Sequence, residues 1–118
     1  MTELALTAVA ERFYAYEEAL MADDFDVLRD FFCPEAVRYG PDGNQYGIAE
    51  IDASRRASST PIARELRRTS FAALGPDTVL AATEFVRAGS GKVGRQTQVW
   101  VRDAETWRVS HAHVSLLS

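Results

Sequence analysis

The chain changes texture once, near Ile62, and that change restricts its fold more than any other feature. Before it, apolar residues recur at helical spacing. After it come four long runs at strand spacing: Ile62–Leu74, Thr78–Ala88, Lys92–Arg102 and Thr106–Leu117. The turns between them are Gly75-Pro76-Asp77, Gly89-Ser90-Gly91 and Asp103-Ala104-Glu105. Turns this short join antiparallel neighbours, so the runs form a four-stranded meander. Helices first and a long meander afterwards indicate an α+β fold. A strongly curved sheet wrapped on the helices would make a cone closed at one end, a natural pocket for a small molecule.

The first half supplies the helices. Val9, Phe13, Tyr16 and Leu20, with Leu6 one turn earlier, mark one amphipathic helix over residues 4–21. Asp23-Asp24 breaks it and can cap a short second helix, whose apolar face is Val27, Leu28, Phe31 and Phe32 and whose end is set at Pro34. Ala36–Tyr39 reads as a short strand, and residues 40–44 as an exposed turn. Gly47–Arg56 fits a third helix with Ile48 and Ile51 inward, stopped by Thr60-Pro61.

At 118 residues and 47% apolar content the chain is expected to be one domain, residues 1–118. No apolar run approaches the roughly 20 residues a membrane helix needs. The acidic start Met1-Thr2-Glu3 does not resemble a signal peptide. Cys33 is the one cysteine, so no intrachain disulfide forms and a cytoplasmic location is expected. Between a nucleophilic thiol and a small buried hydrophobe, its neighbours Phe31, Phe32 and Pro34 favour the second for Cys33. The net charge of −4 hides an asymmetry: residues 1–52 hold 12 acids and 3 bases, and residues 53–118 hold 5 acids and 10 bases. Twelve of the 13 bases are Arg, whose fork suits planar carboxylates. They alternate along strands rather than forming a dense run, which argues against nucleic acid. A small anion, or a contact between acidic and basic halves of two copies, fits better.

Several residues could carry chemistry. Tyr16 is the one hydroxyl on the apolar stripe of the first helix, so its oxygen needs a polar partner inside the fold. Arg38 alternates with Val37 and Tyr39. It is exposed if those two pack in the core; on an internal strand covered on both faces it is buried and demands an anion. His111 and His113 share a strand face, as zinc ligands can, but a third ligand is not evident; hydrogen bonding within a pocket suits them better. If Arg102 pairs with Trp107, Gln98 faces His111 and Gln96 faces His113, giving one wall of amides and imidazoles. Pairing Arg87 with Lys92 likewise sets Glu84 opposite Arg95 as a cross-strand ion pair. Gly-rich phosphate loops, C-x-x-C and G-x-S-x-G are absent from the sequence.

Six segments then come in order. They are F-x-x-Y-E at Phe13–Glu17, V-R-Y-G at Val37–Gly40, N-x-Y-G at Asn44–Gly47 and A-R-E-L-x-R-T at Ala63–Thr69. G-S-G-K-x-G-R-Q-x-Q-x-W at Gly89–Trp100 and W-R-V-x-x-A-H-V-S-L at Trp107–Leu116 complete the set. Together they resemble the AtzH-like family, which includes the HpxZ lineage of oxalurate catabolism. The resemblance implies an NTF2-like (SnoaL-like, cystatin-like) cone and a homodimer. It also implies an amidohydrolase that needs no metal or other cofactor and converts 1,3-dicarboxyurea to allophanate. Its functional Tyr and Arg fall on Tyr16 and Arg38. Gln96, Gln98, His113 and Arg64 become substrate-binding candidates, and the substrate a small anionic ureido carboxylate. The chain departs from the family pattern at Cys33, where Trp is usual, near Ser54 (Phe) and Ser58 (Arg), and in a shorter loop before Arg38; His111 is outside that pattern. Two other classes stay open. One is a non-catalytic binding or accessory subunit of a pathway amidase. The other is an NTF2-like isomerase, which an arginine- and amide-rich pocket disfavours.

Overall fold

The computed structural model describes residues 2–58 and 63–117. Helix α1 (Thr2–Met21) buries Val9, Phe13, Tyr16 and Leu20, as their spacing requires. Asp24 caps α2 (Phe25–Arg29), its carboxylate accepting from the Val27 N–H. That helix ends at Arg29, earlier than expected, and Pro34 lies inside the next element, β1 (Phe32–Gly40). Proline has no N–H to give a ladder, and β1 shifts register between Phe32 and Val37, the stretch that holds it.

The segment expected as a loop contains a second strand, β2 (Gly43–Tyr46), which folds back on β1 across Pro41-Asp42. Helix α3 (Ile48–Ala57) follows, with Ile51 buried; the expected stop at Thr60-Pro61 and the start of the first long run at Ile62 lie outside the described residues. The meander is β3 (Arg64–Gly75), β4 (Thr78–Arg87), β5 (Val93–Asp103) and β6 (Thr106–Leu116). The sheet order is β2-β1-β6-β5-β4-β3. All neighbours are antiparallel except β1 and β6, a parallel pair that no local turn could have foretold.

The helices cover one face of this curved sheet. α1 lies against β3, β4 and β6, and α3 against β1 and β2. The inner face carries Val79, Ala81, Phe85, Trp100, Val109 and Ala112, all buried. Aromatic side chains dominate the seam: Tyr16 meets Phe31 edge-on at 5.8 Å, and Phe31 meets Trp100 at 6.4 Å. Each such ring brings roughly 150–250 Å² out of water. The outer face is open, with Tyr39, Tyr46, Thr97, His111 and His113 exposed. Among the described residues no helix is long and apolar enough to cross a membrane.

One glycine is set by packing. A Cβ on Gly94 would overlap the Phe85 ring, which in turn lies 4.2 Å beneath the Arg64 guanidinium. A phenyl ring in a filled core cannot swing away, so Gly94→Ala should destabilise the fold by about 1–3 kcal/mol. Chemical denaturation measures it, and an unchanged midpoint would contradict this packing.

Candidate functional site

Strand β1 is internal, yet only its inner face is covered, so the choice posed by the sequence has a third answer. Tyr39 points out and is exposed; Arg38 points in, partly buried. Arg38 stands in an inner-face row with Gln45 of β2, Ala112 of β6 and Gln98 of β5. Its Nη1 donates to Gln45 Oε1 at 2.8 Å. Among the described residues the Nε–Nη2 edge makes no hydrogen bond, and it can fork a carboxylate. Burial lowers the Arg38 pKa from its ordinary value. Arg55 and Arg64 push the same way, and Tyr16 and Asp42 push back. Each of these marks a group within electrostatic reach of Arg38.

Gly40 fixes where that guanidinium lies. Its φ is not in the left-handed region, so no turn demands glycine there. A Cβ would stand 2.6 Å from Arg38 Nη1. The obstacle is the end of a flexible side chain, which can move while the backbone stays. Gly40→Ala should therefore leave the melting temperature unchanged or slightly raised, since Ala is favoured over Gly in a strand by about 0.5–1 kcal/mol. Calorimetry with glutarate, a small dicarboxylate, should show weaker binding than wild type. Equal affinity would dissociate Gly40 from the placement of Arg38.

Arg38 lines a cavity of about 620 Å³ at the open end of the cone. Its other walls include Gln45, Ser54, Arg55, Ser58 and Arg87, with Asp42 the one carboxylate among the described residues. The sequence reading missed Arg55 and Arg87. Arg55 follows buried Ile51 by four residues and so shares its helix face, and Arg87 alternates inward with Thr83 and Phe85; both signals were available. Arg56 orients α3: its Nη2 meets Asp26 at 2.6 Å and its Nε meets Asp52 at 3.1 Å. Exposed pairs of this kind add little stability, but the one with Asp26 ties the helix bearing Arg55 to α2.

Tyr16 stands behind this cavity rather than in its wall. Its ring is 2% exposed, wedged edge-on between Phe31 and Phe32. The hydroxyl bonds to none of the described residues and is not among the fully enclosed polar atoms, so it is not a core phenol held by a carbonyl. Arg64 and Gln96 are occupied elsewhere. Arg64 Nε and Nη2 grip Glu17 at 3.0 and 2.6 Å, and Nη2 also donates to Gln96 Oε1 at 3.2 Å. Gln98 accepts from Trp100 Nε1 at 3.1 Å, leaving its own buried Nε2 without a partner. Neither Arg64, Gln96 nor Gln98 touches the cavity.

His113 faces the other way. The Arg102–Trp107 pairing is as expected, but register shifts between Val99 and Trp100, where Ser110 is an extra residue on β6. Gln98 therefore pairs with Ala112, Gln96 with Val114, and the imidazoles stand opposite Val99 and Thr97 on the outer face. The expected wall of amides and imidazoles does not exist. His113 instead meets Tyr39 edge-on at 6.0 Å. Among the described residues no three His, Cys, Asp or Glu side chains converge as metal ligands. Glu84 does stand opposite Arg95, although no ion pair joins them within 4 Å among the described residues. Cys33 is half-buried, and burial together with Asp103 pushes its thiol pKa up.

An AtzH-like family model matches residues 2–118. The chain belongs to the AtzH-like family. Among solved structures, a protein of unknown function from Pectobacterium atrosepticum, placed in a family called DUF3225, is 47% identical. The match covers 96% of this chain and 91% of that one, with a TM-score of 0.89. A cystatin-like fold protein from Burkholderia xenovorans is 35% identical over 96% and 92%, with a TM-score of 0.88. An NTF2-like protein of unknown function from Pseudomonas putida is 18% identical over 98% and 88%, with a TM-score of 0.86, a likeness of fold alone. No curated protein matches the chain. This AtzH-like chain thus has the NTF2-like, cystatin-like α+β fold.

Proposed function

We propose that this AtzH-like protein is an enzyme for small ureido or carbamate carboxylates, in the manner of a decarboxylating amidohydrolase converting 1,3-dicarboxyurea to allophanate. The observation that carries the reading is the cavity: Arg38, Arg55 and Arg87 line it, and none of the three makes an ion pair among the described residues. Guanidiniums left unpaired around a concave space attract a carboxylate. Arg38 clamps one carboxylate through its free Nε–Nη2 edge while Gln45 holds Nη1. The family resemblance assigns Tyr16, whose hydroxyl bonds to none of the described residues, the donation of a hydrogen bond or a proton. Breaking the N–carboxylate bond returns its electron pair to nitrogen, where the proton is taken up, and releases carbon dioxide. Such carbamates decompose slowly in water, so positioning and proton delivery supply the acceleration.

Ser54 and Ser58 both line the cavity, and both depart from the family pattern. An oxalurate-type carboxylate is therefore the first alternative substrate. We further propose a cytoplasmic homodimer joined through the open sheet face, where Tyr39 and Tyr46 are exposed; sedimentation velocity checks the dimer.

The test is allophanate formation from 1,3-dicarboxyurea above the spontaneous rate. Acceleration by wild type, reduced in Tyr16→Phe, is the expected result. Folded wild-type protein that binds the compound without accelerating its decay would instead be a ligand-binding or accessory subunit of a pathway amidase.

A further inference from the structure

Arg64 and Arg87 are directly opposed across β3 and β4 on the inner face. Like charges in that position repel. Glu17 relieves one of them only: its carboxylate is taken up by Arg64, both side chains being 4% exposed. Arg87 has no carboxylate, and its Nε is fully enclosed without a hydrogen-bond partner. A buried donor left unmade, beside a like charge, is a burden on the fold. No hydrogen bond or ion pair among the described residues offsets it, yet the same side chain forms part of the cavity wall.

Arg55 joins Arg87 in that wall, also without an ion pair among the described residues. With Arg38 they make, among the described residues, three guanidiniums against the single carboxylate of Asp42, a formal +2 lining. One carboxylate on Arg38 leaves half of that unanswered. We propose that Arg87 is a second anion-binding end of the cavity, distinct from Arg38, and that it selects ligands carrying two anionic groups over ligands carrying one. This rests on the reading of the cavity as a carboxylate site, which places one carboxylate on Arg38; it assigns the residue that reads a second.

Two stable probes separate the possibilities: glutarate, with a carboxylate at each end of a five-carbon chain, and glutaramate, in which one end is an amide. By calorimetry, wild type should bind glutarate at least about tenfold more tightly, the size of one charge-assisted contact. Arg87→Met should abolish the preference, weakening glutarate and leaving glutaramate within about twofold, whereas Arg38→Ala weakens both. Without ligand, Arg87→Met should melt at the same temperature as wild type or above it, because a repelled, unpartnered arginine has been removed. A large fall in melting temperature would make Arg87 a structural residue and overturn the proposal. Equal affinity of wild type for the two probes would overturn it while leaving the carboxylate cavity standing. Binding of neither probe would remove both readings together.

Discussion

Arg38→Ala should lower kcat/KM on 1,3-dicarboxyurea by about 30- to 1000-fold, the equivalent of roughly 2–4 kcal/mol of transition-state binding. The size follows from the setting. The guanidinium is partly buried, its Nη1 is already spent on Gln45, and its side chain lines the cavity. At a partly buried group a charge-assisted fork is screened less than on a surface. The loss should not be one of folding. Among the described residues no carboxylate pairs with Arg38, Arg55 adds repulsion, and Gln45 is near enough to solvent to find water. The variant should therefore melt within a few degrees of wild type while losing turnover. A melting temperature that collapses along with activity would recast Arg38 as a structural residue.

Glu17→Gln should show the opposite pattern, a fall in stability of about 3–5 kcal/mol, roughly 10–20 °C in melting temperature for a chain of this size. Glu17 bridges α1 to three strands: to Arg64 on β3 directly, to Gln96 on β5 at 3.5 Å, and through Arg64 to Phe85 on β4. Removing its charge strands Arg64 in the interior, opposite the already unpaired Arg87. An uncompensated buried cation is the expensive outcome; removing both partners is milder. Glu17→Leu combined with Arg64→Met should thus recover part of the stability lost by Glu17→Gln. If the double variant is the less stable of the two, the pair contributes more than mutual neutralisation.

Much of the fold was legible because it is locally encoded. The stripe through Val9, Phe13, Tyr16 and Leu20 gives α1, and the Gly-, Pro- and Asp-containing turns give the meander, the β4–β5 register, and the β5–β6 register as far as Trp100. What was not legible depends on distant chain. The parallel pairing of β1 with β6 has no local signal, and β2 is four residues long and mostly polar. Ser110 illustrates the limit. One extra residue in β6 moves both histidines from the cone interior to the open face, and nothing in W-R-V-S-H-A-H announces it.

Of the residues expected in the candidate site, Arg38 was legible as a cavity residue and the rim was not. Arg38 was placed in the site from the family resemblance, and it does line the cavity. Arg64 was read as a ligand residue because its partner was not. Glu17 follows Phe13 by four residues, on the buried side of α1, and a carboxylate there must find a cation. Arg55 and Arg87 were overlooked for a related reason: each follows an apolar residue at the period of its element, which places it inward among apolar neighbours.

The central claim is that the carboxylate-binding face of this protein is the trio Arg38, Arg55 and Arg87. Arginine side-chain NMR reads it directly, since each of the 12 guanidiniums contributes its own Nε–H signal. Titration with glutarate should shift the signals of Arg38, Arg55 and Arg87, leave Arg64 locked on Glu17, and leave the outward arginines unmoved. Shifts confined to surface arginines, or none in the trio at saturating glutarate, would contradict it.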